Sequence, residues 1–218
     1  MSQLPLVCIT GTDGAGKTAI TDALVSQIQS RGLKVEKVWS RFNNYFSKPL
    51  LALTRLTGHN HYQQIGDVFH GFHDFENLTG YRQLYAIAQM LDVNIATALK
   101  VTNKQTSDTI IICERGPWDS LVDVMSDTDL VSLQDNKLGK MYVRQIVENS
   151  ITYLISRELE SIYPCRPELK EDYKMAKKYR LYHELAEKYQ WNVVDNNGDL
   201  EQTKTTIIKD LLTRGIIK

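Results

Sequence analysis

Eight consecutive residues, Gly11-Thr12-Asp13-Gly14-Ala15-Gly16-Lys17-Thr18, constrain this chain more than any other stretch. Glycines let the backbone curl until several N–H groups point at one centre, which makes a nest for an anion. The pattern G-x-x-x-x-G-K-[ST] is matched in full, and its context is right. The apolar run Leu6-Val7-Cys8-Ile9 precedes it, and residues 17–29 carry Ile20, Leu24 and Ile28 on one helical face. A helix starting near Lys17 adds its positive end to the same centre. The segment from Thr12 to Thr18, with Asp13, Gly14, Ala15, Gly16 and Lys17 between, is therefore read as a cradle for the phosphates of ATP or a similar triphosphate. Lys17 can reach the β- and γ-phosphates, and the Thr18 hydroxyl can ligate a Mg²⁺ ion that bridges them. The motif points to a triphosphate and leaves the acceptor open.

Around that loop, short apolar runs alternate with helical patterns. This argues for an α/β fold: a doubly wound, five-stranded parallel sheet that opens on the P-loop and is flanked by helices. The expected strands are 6–9, 35–39, 109–113, 150–155 and 191–194. Helices are expected over 17–29, around 50–56 with Gly58 as the stop, over 80–104, from Pro167 toward Tyr189, and over the C-terminal segment after Asn197-Gly198-Asp199. Leu84, Ile87, Ala88, Leu91, Ile95 and Leu99 form the apolar stripe of the long helix. The remainder of 43–75, rich in His, Tyr, Phe and Gly, matches neither period. A chain of 218 residues suits one domain, 1–218.

Charge and cysteine content narrow the function. The 26 basic and 26 acidic side chains cancel, so no global excess recruits nucleic acid. No basic, then apolar, N-terminal leader and no apolar run of spanning length is present, and a cytoplasmic protein without membrane contact is expected. Three scattered cysteines, Cys8, Cys113 and Cys165, make neither a disulfide framework nor a zinc site. His70 and His73 would share a face on a helix, but Gly71 between them favours packing over metal binding.

The run Thr109-Ile110-Ile111-Ile112-Cys113 closes with Glu114-Arg115. In parallel sheets ligands sit beyond the carboxyl ends of the strands. Glu114 is there expected to hold Mg²⁺ through water, and Arg115 to clamp a phosphate with its planar fork. Asp13 is either a solvated turn residue or a group that faces an acceptor hydroxyl or pairs with an arginine across the site. Trp118, after Gly116-Pro117, is either core or a stacking surface.

With these residues in place the chain resembles the thymidylate kinase group of P-loop nucleoside monophosphate kinases. The loop, with its Asp13, is similar to that family's G-x-D-G-x-G-K-[ST], and Glu114-Arg115 resembles its Asp-Arg-Tyr motif. The resemblance implies that Arg41 lies near the acceptor phosphate. It also implies that Tyr85 and Gln89, at the family's F-x-x-x-R spacing, stack on and read the base. Gln89 replaces the family's arginine, Asp119-Ser120 replaces its Ser-Asn, and Thr10 replaces its Glu before the loop. The implied activity is transfer of the ATP γ-phosphoryl to a nucleoside monophosphate, first of all dTMP, with Mg²⁺. Acceptor-binding helices then lie at about 43–105, and a homodimer through helices such as 80–104 is implied.

A kinase of this kind needs a lid that excludes water. The basic segment 157–180 is the candidate, with a break at Tyr163-Pro164-Cys165-Arg166-Pro167. Arg166 is taken as the transition-state arginine, alone or with Arg157, beside Lys17 and Arg115 as catalytic groups. Two other readings remain: a kinase of a nucleoside or other small acceptor, with Asp13 or Glu114 as base, and a nucleotide-binding ATPase or switch.

Overall fold

A computed structural model describes residues 4–40, 44–65, 68–147 and 150–217. Five strands form one sheet: β1 (Leu6–Thr10), β2 (Lys34–Trp39), β5 (Thr109–Glu114), β6 (Ser150–Ser156) and β7 (Asn192–Asp195). Their order is β2-β5-β1-β6-β7 and every pairing is parallel. Parallel strands need crossovers, and each crossover here lays helices on a face of the sheet. Helices α1 (Lys17–Ser30) and α8 (Leu200–Thr213) cover one face, packing Ile20, Leu24, Ile28, Ile207 and Leu211 on Val7, Ile9, Ile110 and Ile112. On the other face α3 (Tyr81–Lys100), α4 (Pro117–Thr128), α5 (Lys137–Val147) and α7 (Met175–Lys188) pack on Leu6, Cys8, Ile111, Cys113 and Leu154. Alternate residues of β1 and β5 thus feed opposite cores, which is why those runs are apolar throughout.

Three expectations are corrected. The stripe Leu84, Ile87, Leu91, Ile95 and Leu99 points outward, 37–60% exposed. The buried face of α3 is instead Tyr85, Ala86, Ala88, Gln89, Met90, Asp92, Val93, Asn94, Ala96 and Thr97. Small and polar residues line it because it abuts α4 and the neighbouring pocket rather than a uniform apolar layer. Second, no single helix runs from Pro167 toward Tyr189. Residues Pro167–Glu171 make a short 3₁₀ turn, and α7 starts at Met175 after a break at Asp172. Part of the expected lid, 175–180, is therefore the first turn and a half of a body helix. Third, the His pair is not on a helix. His70 and His73 fall on a strand, β4 (Val68–His73), which pairs antiparallel with β3 (Asn60–Ile65).

The helix in 43–75, α2 (Lys48–Leu56), depends on a buried carboxylate of α3. Asp92 accepts from the N–H of Tyr45 (2.9 Å), Phe46 (2.7 Å) and Ser47 (2.9 Å) and from the Ser47 hydroxyl (2.6 Å). These N–H groups belong to the entry turn of α2, which leaves donors without intrahelical partners, and a carboxylate from another helix caps them. Trp118 is core: it is buried, its Nε1 donates to Thr152 Oγ1 at 3.0 Å, and Trp191 and Tyr189 pack around it. No helix among the described residues is long and apolar enough to cross a membrane.

Candidate active site

The phosphate loop joins β1 to α1 and is held from three sides. Gly11, Gly14 and Gly16 have φ of 142°, 82° and 95°, the region where only glycine is unstrained. Space is equally short. A Cβ at Gly11 would lie 2.5 Å from the Ile155 carbonyl oxygen, and one at Gly16 would lie 2.5 Å from Asn196 Nδ2. Asn196, just past β7, donates from Nδ2 to the Ala15 carbonyl at 2.7 Å and accepts from Thr203 Oγ1 at 2.9 Å. The loop is thereby pinned to the start of α8. Lys17 is buried, and its Nζ donates to the carbonyls of Gly11 (2.5 Å) and Thr12 (2.8 Å). Folded back over the loop in this way, the ammonium faces the centre of the nest.

Beside the loop, the ends of β1 and β5 are adjacent, with Ile9 in register with Glu114. Thr18 Oγ1 donates to Glu114 Oε1 at 2.5 Å. Two oxygen ligands, a hydroxyl and a carboxylate, thus converge at the mouth of the loop, which suits a hard ion such as Mg²⁺ that keeps waters and phosphate oxygens as its other ligands. Glu114 Oε2 pairs with Lys37 Nζ at 2.6 Å, and Lys37 also reaches Asp22 at 2.6 Å. Burial works against the Lys37 charge, but the hydrogen bonds to Asp22 and Glu114 outweigh it and raise its pKa above the ordinary lysine value. Lys37 was not legible as a site residue. On an edge strand reading Lys34-Val35-Glu36-Lys37 it looks like an outward-facing charge.

Arg115 and Asp13 meet across the site. Arg115 Nη2 is 2.8 Å from Asp13 Oδ1, and Lys17 Nζ is 3.7 Å from the same oxygen. The pairing of Asp13 with an arginine is the geometry found. Arg115 stands at φ 49°, a left-handed conformation that is strained for an arginine and turns its side chain back toward the loop. A second buried carboxylate, Asp119, holds that turn. It accepts from Gly116 N (3.0 Å), Thr10 Oγ1 (3.1 Å) and the Tyr182 hydroxyl (2.9 Å). Asp119 and Ser120 are the residues that depart from the family pattern.

The segment above the loop comprises α6 (Leu159–Ile162) and the 3₁₀ turn that follows Arg166. A Cβ built on Gly14 would touch Ile162 Cγ2 at 2.5 Å, Leu169 Cδ1 at 3.1 Å and Arg166 Cγ at 3.7 Å. The segment therefore rests on the phosphate loop. The Arg166 guanidinium is exposed and paired with Glu168, and Arg157 donates to Cys165 Sγ at 3.6 Å. Downstream, Lys174 Nζ donates to the His73 carbonyl and pairs with Asp127 at 2.9 Å, while the Tyr173 hydroxyl donates to Asp74.

Tyr85 and Gln89 are both buried on α3 and line one small pocket with Asn44, His73, Ser120, Asp123, Val124 and Asp127. Phe75 packs edge-on against Tyr85, ring centroids 4.6 Å apart. His73 Nδ1 lies 2.9 Å from Asp127 Oδ2. Burial pushes the Asp127 carboxyl up, yet the His73 hydrogen bond and the Lys174 charge outweigh it and hold it below the usual carboxylate range. Arg41, the remaining expected acceptor residue, lies outside the described residues. Among the described residues no cluster of three or more His, Cys, Asp or Glu side chains forms a metal site of its own.

No protein-family model matches the sequence, and no curated protein matches it. Among solved structures it is similar to thymidylate kinase from Candida albicans, with a TM-score of 0.57 and 14% identity, over 99% of this chain and 95% of that one. At that identity the likeness is one of fold: a five-stranded parallel sheet flanked by helices, in the arrangement of a nucleotide kinase.

Proposed function

We propose that this chain is a cytoplasmic nucleoside monophosphate kinase that transfers the γ-phosphoryl group of ATP, with dTMP as the first acceptor to test. One observation carries the reading. At the edge where β1 and β5 end, a complete phosphate loop meets both a Thr18–Glu114 oxygen pair and an Asp13–Arg115 ion pair. Lys17 and the loop amides hold the donor phosphates. Thr18 and Glu114 would hold Mg²⁺, Glu114 through water; when bound, the ion would supply positive charge against the triphosphate. Arg115, oriented by Asp13, and Arg41 hold the acceptor phosphate. Tyr85 and Gln89 shape the base pocket. An acceptor phosphate oxygen then forms a bond to the γ-phosphorus, the bond from that phosphorus to the β–γ bridging oxygen breaks, and ADP leaves. Arg166, whose Cγ lies beside Gly14, then leaves Glu168 and closes on the transferring group.

A phosphate acceptor is already a nucleophile and needs no base. This favours it over a hydroxyl acceptor, because Asp13 and Glu114, the two carboxylates at hand, are engaged with Arg115 and Lys37. The outward apolar stripe Leu84, Ile87, Leu91, Ile95 and Leu99 supports a homodimer through α3. The deciding experiment is ADP release from Mg²⁺-ATP with a panel of nucleoside monophosphates and nucleosides. Acceptor-dependent turnover is expected, and Lys17→Ala should lower it by about a hundredfold or more. Steady ADP release without any acceptor would replace this reading with an ATPase or switch.

A further inference from the structure

The small pocket of Tyr85 and Gln89 has room for little more than a water, about 30 Å³. Two of its walls, Asn44 and His73, also border a second cleft of about 780 Å³, which is the size of a ligand site. This cleft lies between α2 and the β3–β4 ribbon and is continuous with the small pocket through those shared walls.

Its lining has a definite chemistry. Lys48 and Arg55, two turns apart on α2, both face it, and neither pairs with a carboxylate among the described residues. The Arg55 guanidinium lies 5.0 Å from the centroid of the Tyr62 ring. Leu51 and Leu56 give an apolar floor. Asn60 is 6% exposed; its Nδ2 donates to the Leu51 carbonyl at 3.0 Å, while its buried Oδ1 has no hydrogen-bond partner among the described residues. Two cations, an aromatic face and apolar side chains together describe a site for an anionic group on a short apolar stem.

We propose that the cleft is the outer half of the acceptor site and receives an anionic arm on the base, so that the preferred acceptor is a nucleoside monophosphate extended beyond thymine by a carboxylate-bearing substituent. This rests on the kinase reading above. The base lies in the cleft against Asn44 and His73, with its pairing edge toward the small pocket of Gln89, and the arm passes to Lys48 and Arg55.

The test compares dTMP, a dUMP carrying a carboxyethyl arm at C5, and a dUMP carrying a neutral propyl arm of similar size. A C5 arm leaves the pairing edge free for Gln89. The carboxyethyl nucleotide should exceed the propyl one in kcat/KM by about tenfold, the worth of one charge-assisted contact. In Arg55→Gln and in Lys48→Gln, both at exposed positions, that ratio should fall toward one. Equal rates for the two arms, or a ratio untouched by either variant, would overturn the proposal. Calorimetric binding of the same three nucleotides keeps the test independent of turnover. A tenfold preference for the charged arm that vanishes in Arg55→Gln upholds the cleft even if no nucleotide is phosphorylated, a result that would sink the kinase reading alone. Equal affinities would sink the cleft whatever the turnover.

Discussion

Replacing Asp92 by Asn tests whether a single carboxylate holds α2 in place. The change is nearly isosteric, so no cavity is made. Oδ2 accepts three of the four hydrogen bonds, from Tyr45 N, Ser47 N and Ser47 Oγ, and Oδ1 accepts the one from Phe46 N. An amide oxygen can occupy only one of those two places. If it takes the first, its NH₂ faces the Phe46 N–H, donor against donor. The three bonds that survive lose the charge that made them about twice as strong as neutral ones. With charge-assisted bonds at about 1.5–3 kcal/mol and neutral ones near 1, and with Tyr45 and Phe46 exposed enough to regain water, the loss sums to about 2–4 kcal/mol. In a domain of this size that lowers Tm by roughly 5–15 °C if the loss is global. If α2 detaches locally, amides of 48–56 exchange about 30- to 1,000-fold faster while the global transition stays put. Urea denaturation followed by circular dichroism, with hydrogen exchange on α2, separates the two cases. A variant within 0.5 kcal/mol of wild type whose α2 amides are equally protected would refute the assignment of Asp92 as the cap.

Three further expectations follow from the same structure. Lys37→Met should leave the fold intact but free Glu114 from its cation, so activity should need a different Mg²⁺ concentration for half-saturation; identical Mg²⁺ titrations for variant and wild type would count against the role given to Lys37. Only Cys165 should react rapidly with a thiol reagent in the native protein, because burial pushes Cys8 up to about 12 and Cys113 well above its ordinary value, while Cys165 is exposed. Rapid labelling of all three without denaturant would contradict the burial of β1 and β5. Asp127 has a depressed folded-state pKa, so its contribution is present above its unfolded pKa of about 3.9 and is lost as pH falls through the folded value. Asp127→Asn should therefore cost about 3 kcal/mol at pH 7, as breaking a buried pair does. The gap between variant and wild type should narrow below about pH 4, and a gap that widened with acid would refute the pairing.

The parts of the fold that were legible in the sequence are those set by purely local chemistry. Runs such as Leu6–Ile9 and Ile110–Cys113 are apolar at every position because both sides of the sheet are covered, and a glycine-rich turn followed by Lys17-Thr18 has few other uses. Where tertiary partners decide, the reading failed. On α3 the largest apolar residues are on the outside, and the inner face is built from alanines with Gln89, Asp92 and Asn94, so a search for the most hydrophobic stripe selects the wrong side. Nothing local shows that the backbone N–H groups of 45–47 converge on Asp92, or that the hydroxyls of Thr10 and Tyr182 converge on Asp119. In the β3–β4 ribbon Asn60, Tyr62, Gly71 and His73 line a cleft and not a core, so no apolar alternation marks them. Within the candidate site the loop and Glu114-Arg115 were legible as motifs, whereas Lys37, Asn196 and His73 enter through contacts between residues far apart in the chain.

The short segment over the phosphate loop is moored at both ends. Upstream, Glu158 N donates to Asn197 Oδ1 at 3.0 Å; downstream, Lys174 is fastened to His73 and Asp127 and Tyr173 to Asp74. The downstream mooring is itself a wall of the pocket that holds Tyr85 and Gln89. In the proposed kinase the cover over the donor and the chamber for the acceptor would share this mooring, and ligands bound to the two would be thermodynamically linked: each should tighten or loosen the other by the same factor.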